Sequence, residues 1–181
     1  MTAIALCAAL AACVSVRVVD EDRLPEAWKR HINQPSVRLP QGRFVAAGLV
    51  ASGTEAPVAG RLEWMFLPGK ISLSARPDVV ELTATPQGTF TATALRGAEV
   101  VAKAEFPYRL NSKTGWLEIE SITGTDASKF GRLATSQSVR VGVGSDGALY
   151  VRMRGSATGV MLFMPAVGAQ SAWGRWEPAA P

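Results

Sequence analysis

The chain is poor in the residues that carry most acid–base and covalent chemistry. Its 181 residues hold one histidine, His31, and two cysteines, Cys7 and Cys13. A Ser-His-Asp hydrolase would have to use His31, and no G-x-S-x-G turn accompanies it. A lone histidine on a helix flank reads first as a solvated or packing residue. Two thiols leave no room for a disulfide framework or a Cys/His zinc site. Charged residues are 19% of the chain and form no block of five or more like charges, and the net charge of +4 is a mild bias suited to anionic lipid, wall polymer or nucleic acid. Long apolar runs are also missing: the uncharged opening from Thr2 to Val16 falls short of the roughly 20 residues that a transmembrane helix needs.

What is present begins with that opening. A short apolar segment closed by small residues is the pattern of an export signal. The close Leu10-Ala11-Ala12-Cys13 resembles the lipobox of bacterial lipoproteins. Small side chains let a peptidase reach the backbone, and the thiol accepts lipid before cleavage. The resemblance implies that residues 1–12 are a signal segment and that Cys13 is the lipidation site. It departs from the usual pattern in having no lysine or arginine before Arg17. A membrane anchor or a buried apolar strand are the competing readings. Cys7 would leave with the signal, so no second thiol would remain for a disulfide. Val14 follows the cysteine, where aspartate would imply retention at the inner membrane. The resemblance therefore implies a lipid-anchored protein of the outer membrane, facing the periplasm.

Residues 13–41 read as a tether followed by one short helix. Asp20, Glu21 and Asp22 precede Pro25, and Leu24, Trp28 and Ile32 recur at four-residue spacing as a packing stripe. Pro35 and Pro40 end it. From there the period changes to two, and residues 42–177 read as a single β domain, with 178–181 as a tail. Ile71 and Leu73 alternate with serines; Val80, Leu82 and Ala84 alternate with Glu81, Thr83 and Thr85. The same holds for Phe90, Ala92 and Ala94, for Leu117 and Ile119, for Val139, Val141 and Val143, and for Leu149, Val151 and Met153. Turn signals "RPD", "TPQG", "LRGAE", "NSKTG" and "GSDG" separate these runs. Strands joined so closely pair as antiparallel neighbours. The expected fold is mainly β, an antiparallel curved sheet, flattened barrel or sandwich, with one short N-terminal helix. Asp126 to Ser138 lacks alternation and reads as a loop or short helix. Val160 to Met164 is continuously apolar and reads as a strand buried on both faces.

Candidate chemistry is sparse. Gly142-Val143-Gly144-Ser145-Asp146-Gly147 matches G-x-G-x-x-G, but the following residues alternate like a strand, so the glycines fit a tight hairpin and not a dinucleotide loop. Glu118 and Glu120 share one strand face beside Trp116. Such a pair suggests a glycosidase, yet more commonly it is the wet face of a sheet. No catalytic residue is assigned. Arg140, Arg152 and Arg154 fall across that hairpin and form a candidate anion or partner surface, against the alternative of a charged face that discourages aggregation. Trp173 and Trp176 read as closing the core, against the alternative of marking a partner surface.

Residues 61–94, "RLEWMFLPGKISLSARPDVVELTATPQGTFTATA", resemble the sheet proteins around type II secretion system protein N, with Trp64, Pro68 and a strand from Lys70 in the shared pattern. The likeness covers about a fifth of the chain. It implies a structural part of an envelope machine without catalysis. The functional expectation is a non-enzymatic envelope lipoprotein whose β domain binds a partner protein, lipid or wall polymer. The alternatives are a subunit of a secretion or transport assembly, or a carbohydrate hydrolase using Glu118 or Glu120. Its partners would be a membrane, through the lipid, and an envelope protein. No nucleic acid, metal or cofactor is expected.

Overall fold

The computed structural model describes residues 24–32, 39–51, 56–67, 70–71, 75–128, 131–161 and 164–180. The expected signal segment, Cys13 and most of the expected tether lie outside the described residues. The expected helix is α1 (Glu26–Ile32), with Glu26 in its first turn and Lys29, Arg30 and His31 in its last, each charge placed to suit the helix dipole. Trp28 is its one buried residue.

The rest is two antiparallel sheets. One has the order β1 (Gly42–Val45), β4 (Val79–Ala84), β5 (Thr89–Arg96) and β6 (Glu99–Pro107). The other has the order β3 (Val58–Arg61), β2 (Ala47–Ala51), β11 (Met164–Trp176), β10 (Leu149–Met161), β9 (Gly131–Val143), β8 (Leu117–Ser128) and β7 (Arg109–Leu110). Both sheets are open. Of the expected geometries, the protein takes two facing sheets around one core and does not close a barrel.

Alternation explains that core. Val80, Leu82 and Ala84 on β4 and Phe90, Ala92 and Ala94 on β5 are buried, and their polar neighbours point away. Opposite them stand Leu117, Ile119, Val139, Val141, Leu149, Val151 and Trp176 of the second sheet. Between β3 and β4 a single turn of helix, α2 (Glu63–Phe66), drives Met65 and Phe66 into the gap, where Phe66 lies 5.3 Å from Phe90. After β11 the chain returns to the first sheet: Val45 donates to the Glu177 carbonyl and Ala179 to that of Arg43.

Three readings of the sequence are corrected. Residues 126–138 are strand at every described position, the end of β8 and the start of β9, and not a loop or helix. That span is mostly Ala, Ser, Thr and Gly, so no contrast between faces shows in the sequence. Val160–Met164 is not one buried strand: β10 ends at Met161 and β11 begins at Met164, and these two residues pair with each other. Lys70 and Ile71 lie in a turn and bend, not in a strand, and 72–74 fall outside the described residues.

Candidate functional site

His31, in the last turn of α1, stands against the β9–β10 turn. The Ser145 amide donates to the His31 carbonyl at 3.0 Å, and Gly147 takes a positive φ of 79°, as a tight hairpin requires. His31 Nδ1 lies 3.4 Å from Ser145 Oγ and 3.8 Å from Asp146 Oδ2. Serine, histidine and aspartate thus meet, which sequence reasoning did not foresee. A proton relay needs the serine and the carboxylate on opposite ring nitrogens. Here both face Nδ1, while Nε2 accepts from Arg30 Nε at 3.0 Å. Asp146 instead anchors a structural network: it accepts from Tyr150 Oη at 2.9 Å, from Arg175 at 3.0 Å and from the Ala148 amide at 3.2 Å. Burial alone would raise its carboxyl, but these donors together hold it below the usual carboxylate range. Burial also pushes the Tyr150 phenol up to about 12.

The three arginines singled out from the sequence come together on the outer face of the second sheet. Arg140 and Arg152 are direct cross-strand partners, and Arg154 lies two residues along β10. Their chemistry differs. Arg140 Nε pairs with Glu118 at 3.1 Å. The Arg152 guanidinium lies 5.6 Å over the Trp173 ring, which meets Trp116 edge-on at 5.8 Å. Burial, then the neighbouring Arg154, lowers the Arg152 pKa. Glu118 is tied to Arg140 and to Asn111, and the Glu120 side chain lies outside the described residues. Trp176 closes the core as expected, whereas Trp173 sits on the outer face with Trp116.

A cleft of about 290 Å³ opens beside α2, lined by Ala47, Gly60, Arg61, Glu63, Trp64 and Arg76 among others. Glu63 is 2% exposed. Arg61 Nε donates to its Oε1 at 2.7 Å and Arg61 also donates to the Pro77 carbonyl at 2.6 Å, but Glu63 Oε2 is buried with no hydrogen-bond partner among the described residues. Next to it Trp64 is 59% exposed. Sequence reasoning missed Glu63 and Arg76. Only the single helical turn directs Glu63 inward, and no periodic signal marks a four-residue helix.

Among the described residues no cluster of three or more His, Cys, Asp or Glu side chains could hold a metal, and no helix is long and apolar enough to cross a membrane. The chain matches no protein-family model, and no curated protein or solved structure matches it.

Proposed function

We propose that this chain is a non-enzymatic cell-envelope lipoprotein, held by Cys13 on the periplasmic face of the outer membrane, and that its β domain binds wall polymer in the cleft at α2. The observation that carries the binding reading is Glu63, a buried carboxylate with one paired and one unpartnered oxygen beside an exposed indole. A buried acceptor left without a donor costs about 1–3 kcal/mol, and a ligand hydroxyl placed there recovers it. A saccharide supplies that hydroxyl, offers further oxygens to Arg76, and lays the C–H face of its ring on Trp64. The placement of Ser145 and Asp146 on one histidine nitrogen supports a non-catalytic role. The lipobox at residues 10–13 supports the anchor.

The test is co-sedimentation of the purified full chain with insoluble wall sacculi. Trp64→Ala alters an exposed position, so it should keep the wild-type melt and lose about tenfold in affinity, roughly 1.4 kcal/mol. Glu63→Gln should also weaken binding. Undiminished sedimentation of both variants would remove the cleft from the proposal.

A structural subunit of an envelope secretion or transport assembly is the second reading. One observation favours it: among the described residues, the long strands β8 and β11 pair on their outer sides only at Leu117–Glu118 and at Trp173–Arg175.

A further inference from the structure

The cleft at α2 is unbalanced in charge. Among the described residues that line it, Arg61 and Arg76 are cationic and Glu63 is the one acid, which leaves one positive charge in excess. Arg61 is not the source of that excess. Its Nε is bound to Glu63 Oε1 at 2.7 Å and a second nitrogen to the Pro77 carbonyl at 2.6 Å, so it is held in place and neutralises the carboxylate. Arg76 is exposed, and among the described residues no carboxylate or carbonyl pairs with it.

Opposite needs therefore meet in one small space. The Glu63 side chain is 3% exposed and its Oε2 has no partner among the described residues, so it calls for a donor. The Arg76 guanidinium presents only donors and calls for an anion. Trp64, next to Glu63 in the chain, offers an exposed ring face. At about 290 Å³ the cleft lies at the lower bound of small-ligand sites, which run from roughly 300 to 1,000 Å³. All three groups thus act on a single ring and its substituents, not on a length of glycan.

Resting on the wall-polymer reading above, we propose that the cleft selects an acidic sugar, a ring whose hydroxyl donates to Glu63 Oε2 and whose carboxylate pairs with Arg76. Its C–H face lies on Trp64. A neutral sugar satisfies Glu63 and leaves the excess charge where it was. A carboxylate carries one negative charge and cancels it. A phosphate monoester carries about 1.5 to 2 and would set surplus negative charge beside Glu63. Arg76 therefore decides which sugar is taken, while Glu63 and Trp64 supply contacts that any sugar shares.

The test is calorimetric titration of the purified full chain with two forms of one probe, the disaccharide of N-acetylglucosamine and N-acetylmuramic acid. One form is the free acid and the other its methyl ester. Wild type should bind the acid about fivefold more tightly, the upper size of an exposed ion pair, and added salt should shrink that preference. Arg76→Gln changes an exposed side chain, so it should keep the melt and bind acid and ester alike. Trp64→Ala should weaken both forms and keep their ratio. Equal binding of the two forms by wild type, or a preference that survives Arg76→Gln, would overturn the acidic sugar. So would tighter binding of a matched sugar phosphate, or no binding of either form. Sedimentation with sacculi that still depends on Trp64 would, in each of those cases, leave the wall-polymer reading standing. The converse result, an Arg76-dependent preference with sedimentation indifferent to Trp64→Ala and Glu63→Gln, would strike the wall polymer and keep the acidic sugar.

Discussion

Arg175 and Asp146, twenty-nine residues apart, meet at 3.0 Å, and the Tyr150 hydroxyl bridges them, donating to the carboxylate at 2.9 Å and accepting from Arg175 Nε at 3.1 Å. One carboxylate thereby fixes the β9–β10 turn to β11 and faces the end of α1 through His31. Glu177 extends the chain of charges on the far side of Arg175.

The pH dependence of stability follows from that cluster. Asp146 has a lowered pKa in the folded protein, so its contribution is present above the unfolded carboxylate value of about 4 and is lost as pH falls through the folded value. Asp146→Asn should cost about 1.5–3 kcal/mol at pH 7, as expected for hydrogen bonds to a charged group. It should also flatten the acid limb of a urea-midpoint profile. An unchanged acid limb would place the acid sensitivity elsewhere.

Tyr150 works in the opposite direction. Its phenol is raised to about 12, while the unfolded group ionises near 10. Stability is therefore full below pH 10 and falls as pH rises from there through the folded value. Tyr150→Phe should remove this alkaline slope, measured by thermal melts between pH 9 and 12.

The helix docks on the outer face of the second sheet. Trp28 packs edge-on to Tyr150 at 6.1 Å, in a cluster with Ala51 and Ala148 that is separate from the main core. Trp28→Ala should cost about 3 kcal/mol, near the lower end of the range for a buried tryptophan. A chain beginning at Gln41 keeps every buried residue of the main core. It should melt cooperatively with strand-type circular dichroism, at a lower temperature and with increased dye binding at the uncovered face.

Gly174 faces the ring of Trp176, which is fully buried: a Cβ built there would stand 2.0 Å from Cη2. The indole has nowhere to move. Gly174→Ala should therefore destabilise by about 1–3 kcal/mol or more, read from the urea midpoint. Gly97→Ala, where a Cβ meets nothing within 4 Å but φ is +58°, should cost less, about 1 kcal/mol.

Cys13→Ser tests the anchor. With the thiol gone, labelling by radioactive palmitate should vanish and an unprocessed precursor should accumulate, while Cys7→Ser should label normally. Acylation with two or more chains suffices for stable anchoring. Wild-type protein that takes up no label would remove the envelope assignment.

Alternation of apolar and polar residues made β4, β5, the proximal part of β10 and the hairpin at Ser145–Gly147 legible in the sequence. The four-residue spacing of Leu24, Trp28 and Ile32 did the same for α1. A strand with one buried face must repeat with period two, so class and local structure are written along the chain. Pairing is not. Periodicity states which face of a strand meets the core and says nothing of which strand lies beside it. The neighbours β2–β11 and β1–β4 therefore emerged only from the folded arrangement. The distal parts of β8 to β11 were hidden for the complementary reason: Gly, Ala, Ser and Thr fit either face, so they carry no pattern. The three arginines were legible because their strands were, but the pairing of Arg140 with Glu118 and the seat of Arg152 on Trp173 depend on cross-strand register. The Glu63 cleft was least visible. It needs β2, β3, α2 and the approach to β4 to converge, and packing against Phe90 decides that one turn of helix sends a carboxylate inward.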